Sequence, residues 1–501
     1  MRKTKMQSTA EKTTGGRKLA GDAALNVGER VVSQLAQFAV FVVAARTLGP
    51  AEFGIFALVS ACAILLLVVA ELGWAPFIMS HKGDDVAVPL QVLFLAILSG
   101  GGFAVVGGLG ALGAGQFGVS DNIVLLMLLF AVWVALANAS SAQKGILVWM
   151  GRLKAAALCG IAGELLGAAV ALVTLLNGAG VFALAYGRLC SQSVTLALSF
   201  CATRRAPRRD ISAGLLRDLW AFSSKIFLSR LMVHARLNLV TLIIGGALGA
   251  AAVGYYRAAE RLVGAIAELI VVPGQLLAWT QLRRARDQGD PSGQTDRLNA
   301  QVARHLKALI VFGAPLLIWL AVMNDEILGG LLGDQWRPAA SLVTILAVGR
   351  LLLFAGIMTE PLMSIVGAAS KLPAFMAGIL GLSVLLTWIA AYFGVQAVAW
   401  SQVAISGIVL GATIILFARN AGIRWAEVCK QLRGPILPLI CGTGTIMLLD
   451  WAATALGLAD LTEAVLFGLC GGIVYVAAIA AFDRAFWSDF TAILRPASVA
   501  R

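Results

Sequence analysis

Charged residues are scarce in this sequence. Asp, Glu, Lys and Arg make up 13% of the 501 residues, whereas apolar residues make up 59%. Soluble domains of ordinary composition contain about 25% charged and about 45 to 50% apolar residues. A soluble enzyme is therefore excluded. Most of the chain must lie inside a membrane, where one helical crossing uses about 20 apolar residues.

Histidine and cysteine are also few. The three histidines occur without HExxH or HxH spacing, and none of the seven cysteines forms a CxxC pair. This pattern gives no support to a metal site and favours the cysteines as small apolar core residues. The chain lacks a GxxxxGK[ST] nucleotide loop, and no defensible spacing of nucleophile and base occurs. We therefore expect no cofactor and no catalytic residues.

Long apolar runs predict an all-α polytopic membrane protein with about 14 transmembrane helices. The predicted spans are 26–48, 53–79, 86–110, 122–143, 154–176, 180–201, 221–247, 251–276, 303–323, 338–358, 372–393, 395–418, 434–456 and 462–483. The first run is long for a signal peptide and lacks a small-residue cleavage site, so we interpret it as a retained helix. The connections predicted outside are too short for an external catalytic domain.

The distribution of Lys and Arg predicts the orientation. If the N-terminus is cytoplasmic, 29 basic residues lie in inside segments, against only Arg46 and Arg337 outside. Cytoplasmic loops of membrane proteins carry such an excess, so both termini are expected in the cytoplasm. The net charge of +13 is then mostly a topology signal. It does not indicate a nucleic-acid partner.

A short internal repeat predicts two related halves. The segment 48–56, LGPAEFGIF, recurs 200 residues later as 248–256, LGAAAVGYY. Both copies form the turn of a predicted hairpin, which indicates two parallel six-helix bundles. The expected domains are a basic tail (1–25), an N-terminal bundle (26–201), a basic linker (202–220), a C-terminal bundle (221–418), an extra transmembrane hairpin (434–483) and a second tail (484–501).

Eight basic residues fall inside the apolar runs. Near a helix centre each costs about 2.5 to 3.5 kcal/mol if it faces lipid, so they are expected to face water, a partner charge or a cavity. Lys225 lies near a helix end and can extend its amine to the interface. The others are Arg30, Arg188, Arg230, Arg236, Arg257, Arg261 and Arg350.

Helical spacing places several of these residues in polar stripes. The stripes are Arg30, Gln34 and Gln37; Arg230, His234, Asn238 and Thr241; and Arg257, Arg261, Gly264 and Glu268. They favour a hydrophilic cavity between the bundles. The alternative is a set of buried polar contacts that hold helices together. Because basic residues outnumber acidic ones inside the spans, eight to five, the cavity should attract an anion, and the planar guanidinium suits phosphate best.

Two acidic residues have candidate partners. Glu71 and Arg30 lie at depths that make an ion pair feasible. Glu164 is nearly level with Arg188, and Gly163 and Gly167 flank Glu164 at GxxxG spacing, which predicts close helix packing. Glu164 is thus either half of a structural ion pair or a protonatable carboxylate coupled to transport. The residues leave both interpretations open.

The run 45–58, ARTLGPAEFGIFAL, followed by Ala70-Glu71-Leu72-Gly73, resembles the start of polysaccharide transporters of the multidrug/oligosaccharidyl-lipid/polysaccharide exporter superfamily, the Wzx-type flippases. The segment Leu248 to Ala258 resembles the corresponding turn into helix 8. Within this branch, the sequence resembles a rhizobial-type exopolysaccharide exporter. Glu71 stands where the family commonly has an acid before Leu-Gly.

The resemblance implies a flippase that moves a polyprenyl-diphosphate-linked oligosaccharide from the cytoplasmic to the periplasmic leaflet by alternating access. Such a protein serves exopolysaccharide or lipopolysaccharide synthesis beside a polymerase and glycosyltransferases. The expected diphosphate ligands are Arg30, Arg230, Arg257 and Arg261, followed by Arg236 and Arg350; Glu71, Glu164, Arg188 and Glu268 are expected to take part in ion pairs or coupling. The alternatives are a drug or cation antiporter of the same superfamily and a membrane-embedded polymerase or ligase.

Overall fold

The computed structural model describes residues 28–83, 85–287, 293–453, 459–484 and 486–488, and within these ranges the chain has no β-strand. The predicted tail 1–25 and most of the tail 484–501 lie outside them. The all-α prediction is confirmed. The helices are α1 (residues 28–47), α2 (Pro50–Glu71), α3 (Trp74–Ser80), α4 (Ala87–Gln116), α5 (Asp121–Trp149), α6 (Leu153–Leu176), α7 (Phe182–Thr203), α8 (Ala213–Leu248), α9 (Ala250–Asp287), α10 (Gln294–Val322), α11 (Asn324–Leu332), α12 (Ala340–Leu352), α13 (Thr359–Ile365), α14 (Leu372–Ala391), α15 (Val395–Ala421), α16 (Trp425–Gln431), α17 (Ile436–Ala453) and α18 (Asp460–Phe482).

Most predicted spans correspond to helices that can cross a membrane. In the described ranges, 10 helices are long and apolar enough, or up to 12 if each of two bent pairs forms one span. The bent pairs are Asp334–Leu352 with Phe354–Ile365, at 43°, and Trp425–Gln431 with Ile436–Ala452, at 46°. The other two predicted spans coincide with α1 and α7, and α7 is less apolar because it carries Arg188, Ser191 and Gln192.

The chain divides into two compact units, Met1–Leu242 and Ile243–Arg501, and the division falls within α8. In the first unit, the side chains of Phe130, Trp133 and Val134 on α5 form a buried core with residues of α2 and α7. In the second unit, α9 packs on α10 and α12, and α17 packs on both α18 and α10. Each unit thus has a helical core of its own.

Each of the repeated segments forms a tight turn between two helices. In the first copy α1 ends at residue 47 and α2 begins at Pro50; in the second, α8 ends at Leu248 and α9 begins at Ala250. The amide of Phe53 donates to Gly49 O at 3.0 Å, and the amide of Val253 donates to Gly249 O at 3.4 Å. The spacing that defines the repeat in sequence therefore produces one local hydrogen-bond pattern twice.

Arg337 joins three acidic residues in the second unit. Its Nε donates to Asp334 at 2.9 Å, and its two terminal nitrogens donate to Asp325 of α11 and Asp460 of α18. A planar guanidinium can serve several carboxylates at once because its five N–H groups point in different directions. This residue connects the start of α18 to the segment before α12.

The close packing predicted around Glu164 is confirmed. A methyl group at Gly163 would lie 2.7 Å from Ser191 O of α7, and one at Gly167 would lie 2.6 Å from Gly187 O. The two backbones can approach this closely only because these positions carry no side chain.

We expect Gly163→Ala to destabilise the protein by about 1 to 3 kcal/mol, because the added methyl overlaps the backbone of α7. The matched control is Gly102→Ala on α4, where a methyl group meets no atom within 4 Å. That control should be neutral or slightly stabilising, since alanine favours a helix over glycine. The midpoints of thermal unfolding in detergent compare the two variants with the wild type. Equal midpoints would contradict the packing of α6 on α7.

Candidate functional site

A break in the second helix positions its last residue, Glu71. The helix α2 ends there because Leu72 and Gly73 both have positive φ, 41° and 81°. The break leaves Ala70 O outside the regular helical ladder, and this carbonyl accepts hydrogen bonds from Trp74 Nε1 at 2.9 Å and Asn138 Nδ2 at 3.2 Å. A buried carbonyl without a donor is costly, so these contacts stabilise the break.

Glu71 forms an ion pair with Arg230 of α8. Arg230 Nη1 lies 2.8 Å from Glu71 Oε1, and Ser141 Oγ of α5 donates to the same oxygen at 2.9 Å. His234, one turn beyond Arg230, has both charged groups as neighbours. The predicted pairing of Glu71 with Arg30 is therefore wrong: Arg230 takes this position, because packing brings α8 to the end of α2.

Arg30 lies in α1 and is exposed. Its neighbour Glu29 instead pairs with Lys144, in a space where Gly160 has no side chain. The predicted span 122–143 stops just before Lys144, but this residue lies within α5, which continues to Trp149. The pair makes a contact between α1 and α5 that the apolar pattern did not indicate.

Glu164 and Arg188 have different surroundings. The Glu164 carboxylate accepts hydrogen bonds from Gln37 Nε2 at 3.3 Å and Ser191 Oγ at 3.2 Å. The Arg188 guanidinium lies over the aromatic rings of Phe56, Phe130 and Trp133, at 5.5, 5.8 and 5.5 Å from their centroids. These contacts are cation–π interactions, which are stronger away from water.

The stripe on α8 combines two environments. Arg230 and His234 are half-buried, whereas Asn238 and Thr241 are buried. Asn238 Nδ2 donates to His234 O at 2.8 Å, within its own helix. The stripe thus changes from half-buried charged groups to buried neutral ones along α8. Arg236 is half-buried and, six residues after Arg230, lies on a different face of α8.

In the second unit, the predicted residues of α9 and α12 form a charged cluster. Arg257 Nη1 lies 2.7 Å from Glu260 Oε2, and Arg261 has the charges of Glu268, Arg257 and Glu260 around it. Arg350 of α12 reaches the same stretch of α9: its Nη2 is 3.9 Å from the position a methyl group would occupy at Gly264. We call Arg257, Glu260, Arg261, Glu268 and Arg350 the α9 cluster.

Sequence reasoning missed the polar residues of α5. Asn138 donates to Ala96 O at 2.8 Å and Ser99 Oγ at 2.9 Å, besides its contact with Ala70, and Ser141 holds Glu71. The available signal was the polar run from Asn138 to Ser141 within an apolar segment. Both residues support the break after Glu71 from a neighbouring helix.

The clustered groups are suited to electrostatic binding of an anion. Guanidinium groups donate paired hydrogen bonds to phosphate oxygens, and those contacts are stronger where water is scarce. Among the described residues, no group of three or more His, Cys, Asp or Glu side chains could hold a metal ion.

Comparisons with known proteins agree with the fold. A structure described as the lipid II flippase MurJ in an inward closed conformation has a TM-score of 0.69 at 12% sequence identity, with coverage of 93% of this chain and 99% of that chain. An inward-facing multidrug resistance MATE family transporter of the MOP superfamily has a TM-score of 0.60 at 18% identity, with coverage of 79% and 96%. The search of curated proteins finds no match.

A match to a protein-family model identifies the family of this chain. A family model described as "Polysaccharide biosynthesis protein" matches residues 43–341, which is more than half of the chain. Its range includes both repeated turns and the Glu71–Arg230 pair. The resemblance inferred from the motifs is thereby confirmed for the polysaccharide biosynthesis family, and the solved structures agree with it in fold. The chain belongs to this family of polysaccharide biosynthesis proteins and has the fold of MOP superfamily transporters.

Proposed function

We propose that the protein is a flippase that moves a polyprenyl-diphosphate-linked oligosaccharide from the cytoplasmic to the periplasmic leaflet of the inner membrane by alternating access. The observation that carries the proposal is the family match across residues 43–341 in a chain whose helices contain paired and clustered arginines. The exported glycan would enter exopolysaccharide or lipopolysaccharide synthesis. A polymerase and glycosyltransferases are the proposed partners in that synthesis.

The diphosphate explains why cations are placed where they are costly. A sugar and a polyprenyl chain need no positive charge, whereas a diphosphate that links them carries two negative charges through an apolar region. Arg230 in the first unit and Arg257 and Arg261 in the second are the proposed main contacts. Arg30, Arg236 and Arg350 remain secondary candidates, because Arg30 is exposed and Arg236 lies on a different face of α8 from Arg230.

Glu164 is the better candidate of the two acids for coupling to an ion. The carboxylate of Glu71 neutralises Arg230, so protonation of Glu71 would leave that arginine without its counter-ion. Glu164 accepts hydrogen bonds from the neutral side chains of Gln37 and Ser191.

In a deletion strain, the lipid-linked oligosaccharide should accumulate with its sugar facing the cytoplasm, because the transfer between leaflets is lost. A membrane-impermeant glycan-modifying enzyme is added to spheroplasts and to inverted vesicles, and its access to the sugar shows which side of the membrane the sugar faces. Restoration by the wild-type gene is the control. Accumulation on the periplasmic face would instead indicate a polymerase.

Arg257→Ala and Arg261→Ala should each reduce polymer export at least about tenfold, because a charge-assisted hydrogen bond to phosphate contributes about 1.5 to 3 kcal/mol. The matched control on the same helix is Arg283→Ala, whose side chain is 73% exposed and pairs only loosely with Asp287 at 3.6 Å. Export from each variant is compared at equal membrane abundance. Wild-type export from both cluster variants would rule out the assignment of the α9 cluster.

The proposed orientation predicts the labelling of single positions. Asn177, in the turn between α6 and α7, is exposed, and so is the native Cys429 in α16. Asn177→Cys should react with an impermeant maleimide in intact cells, whereas the wild type, with Cys429 in the cytoplasm, should not. Permeabilised cells, in which Cys429 becomes reactive, are the control. Labelling of the wild type in intact cells would contradict the proposed orientation.

A further inference from the structure

Two of the proposed diphosphate ligands already bind a carboxylate. Arg230 Nη1 lies 2.8 Å from Glu71 Oε1 in the first unit, and Arg257 Nη1 lies 2.7 Å from Glu260 Oε2 in the second. The carboxylate oxygen has the same acceptor chemistry as a phosphate oxygen. Each arginine is therefore neutralised by an anion that belongs to the protein.

Both ion pairs use a single nitrogen of the guanidinium. Bidentate pairing, the strongest geometry for arginine and a carboxylate, would use two parallel hydrogen bonds. In each pair the carboxylate is also the less exposed partner: Glu71 is 18% exposed against 39% for Arg230, and Glu260 is 23% exposed against 30% for Arg257. The acids thus hold the arginines from the protein side, by contacts that a doubly charged ligand can outcompete.

Each acid has a second polar or charged neighbour besides its arginine. Ser141 Oγ donates to the Glu71 oxygen that Arg230 contacts, and Glu71 ends a helix whose break is supported by Trp74 and Asn138. Glu260 is fixed on α9 next to Arg261, whose charge it also neighbours. After exchange, each carboxylate therefore keeps a polar or charged neighbour.

We propose that Glu71 and Glu260 are internal counter-ions that the substrate diphosphate displaces, an inference that rests on the proposed function. An arginine without an anion is costly inside an apolar segment, so the carboxylates stabilise the empty carrier. Because they compete with the diphosphate, they also lower its affinity. A transporter needs binding that is weak enough for release as well as strong enough for entry.

A purely orienting role for the acids predicts the opposite result. If Glu71 and Glu260 only aligned the guanidinium groups, their neutralisation would loosen the arginines and weaken anion binding. If they are counter-ions, neutralisation removes a competitor and a repulsive charge, and anion binding becomes tighter. The direction of the change therefore separates the two roles.

The test measures inorganic pyrophosphate binding to the full-length purified protein by calorimetry in detergent at low ionic strength. Glu71→Gln and Glu260→Gln, which preserve side-chain shape, should each bind pyrophosphate about tenfold tighter than the wild type. Arg230→Ala and Arg257→Ala should bind it about tenfold more weakly. The matched control is Asp296→Asn, which removes the same charge from an exposed pair with Arg424 and should retain wild-type affinity.

The outcomes separate this inference from the proposed function. Suppose that the arginine variants bind pyrophosphate more weakly than the wild type, but neither glutamine variant binds it more tightly. This result would overturn the counter-ion role and leave the diphosphate assignment standing. A wild type that does not bind pyrophosphate, or arginine variants with wild-type affinity, would overturn the diphosphate assignment and with it this inference. Size-exclusion profiles and unfolding midpoints identify folded variants, and if one glutamine variant does not fold, the other decides the result.

Discussion

A charge inside an apolar helix must have a partner, and the structure depends on how this requirement is met. Water is not available there, so the cost of desolvation has to be offset by an opposite charge or an aromatic face. Glu71 has Arg230 as its partner, and Glu29 has Lys144. The guanidinium of Arg188 lies over three aromatic rings instead. Several of these contacts join helices that are far apart in sequence, and so they also hold the first unit together.

The break at Leu72 and Gly73 connects backbone geometry with this charge pairing. Two residues with positive φ end α2 directly after Glu71. The carbonyl released at Ala70 is then satisfied by Trp74, Ser99 and Asn138. An irregular backbone in the middle of a span is tolerated where protein groups complete its hydrogen bonds. A conformational feature of four residues thereby places a carboxylate opposite an arginine of α8.

The basic residues serve two purposes, and their positions separate them. The basic residues in the predicted loops account for most of the positive net charge. Because they are concentrated in the segments predicted to be cytoplasmic, they also support the proposed orientation. Several of those inside the helices have carboxylates close by, as in the α9 cluster, where three arginines and two glutamates lie along α9 and α12. Such a mixed cluster is still basic overall. It keeps a net positive charge, although Arg257 and Arg261 each have carboxylates close by.

Helix positions, the tight repeated turns and the packing at Gly163 and Gly167 were predictable from the sequence, because run length, glycine spacing and turn residues act over a few neighbouring positions. The same local patterns named the arginines that we propose as diphosphate ligands. Partner choice was not predictable: Glu71 pairs with Arg230 rather than Arg30, and Lys144 lies in a helix against Glu29. Only the tertiary structure decides such pairs, because a contact between side chains 159 residues apart depends on the rotation and packing of whole helices.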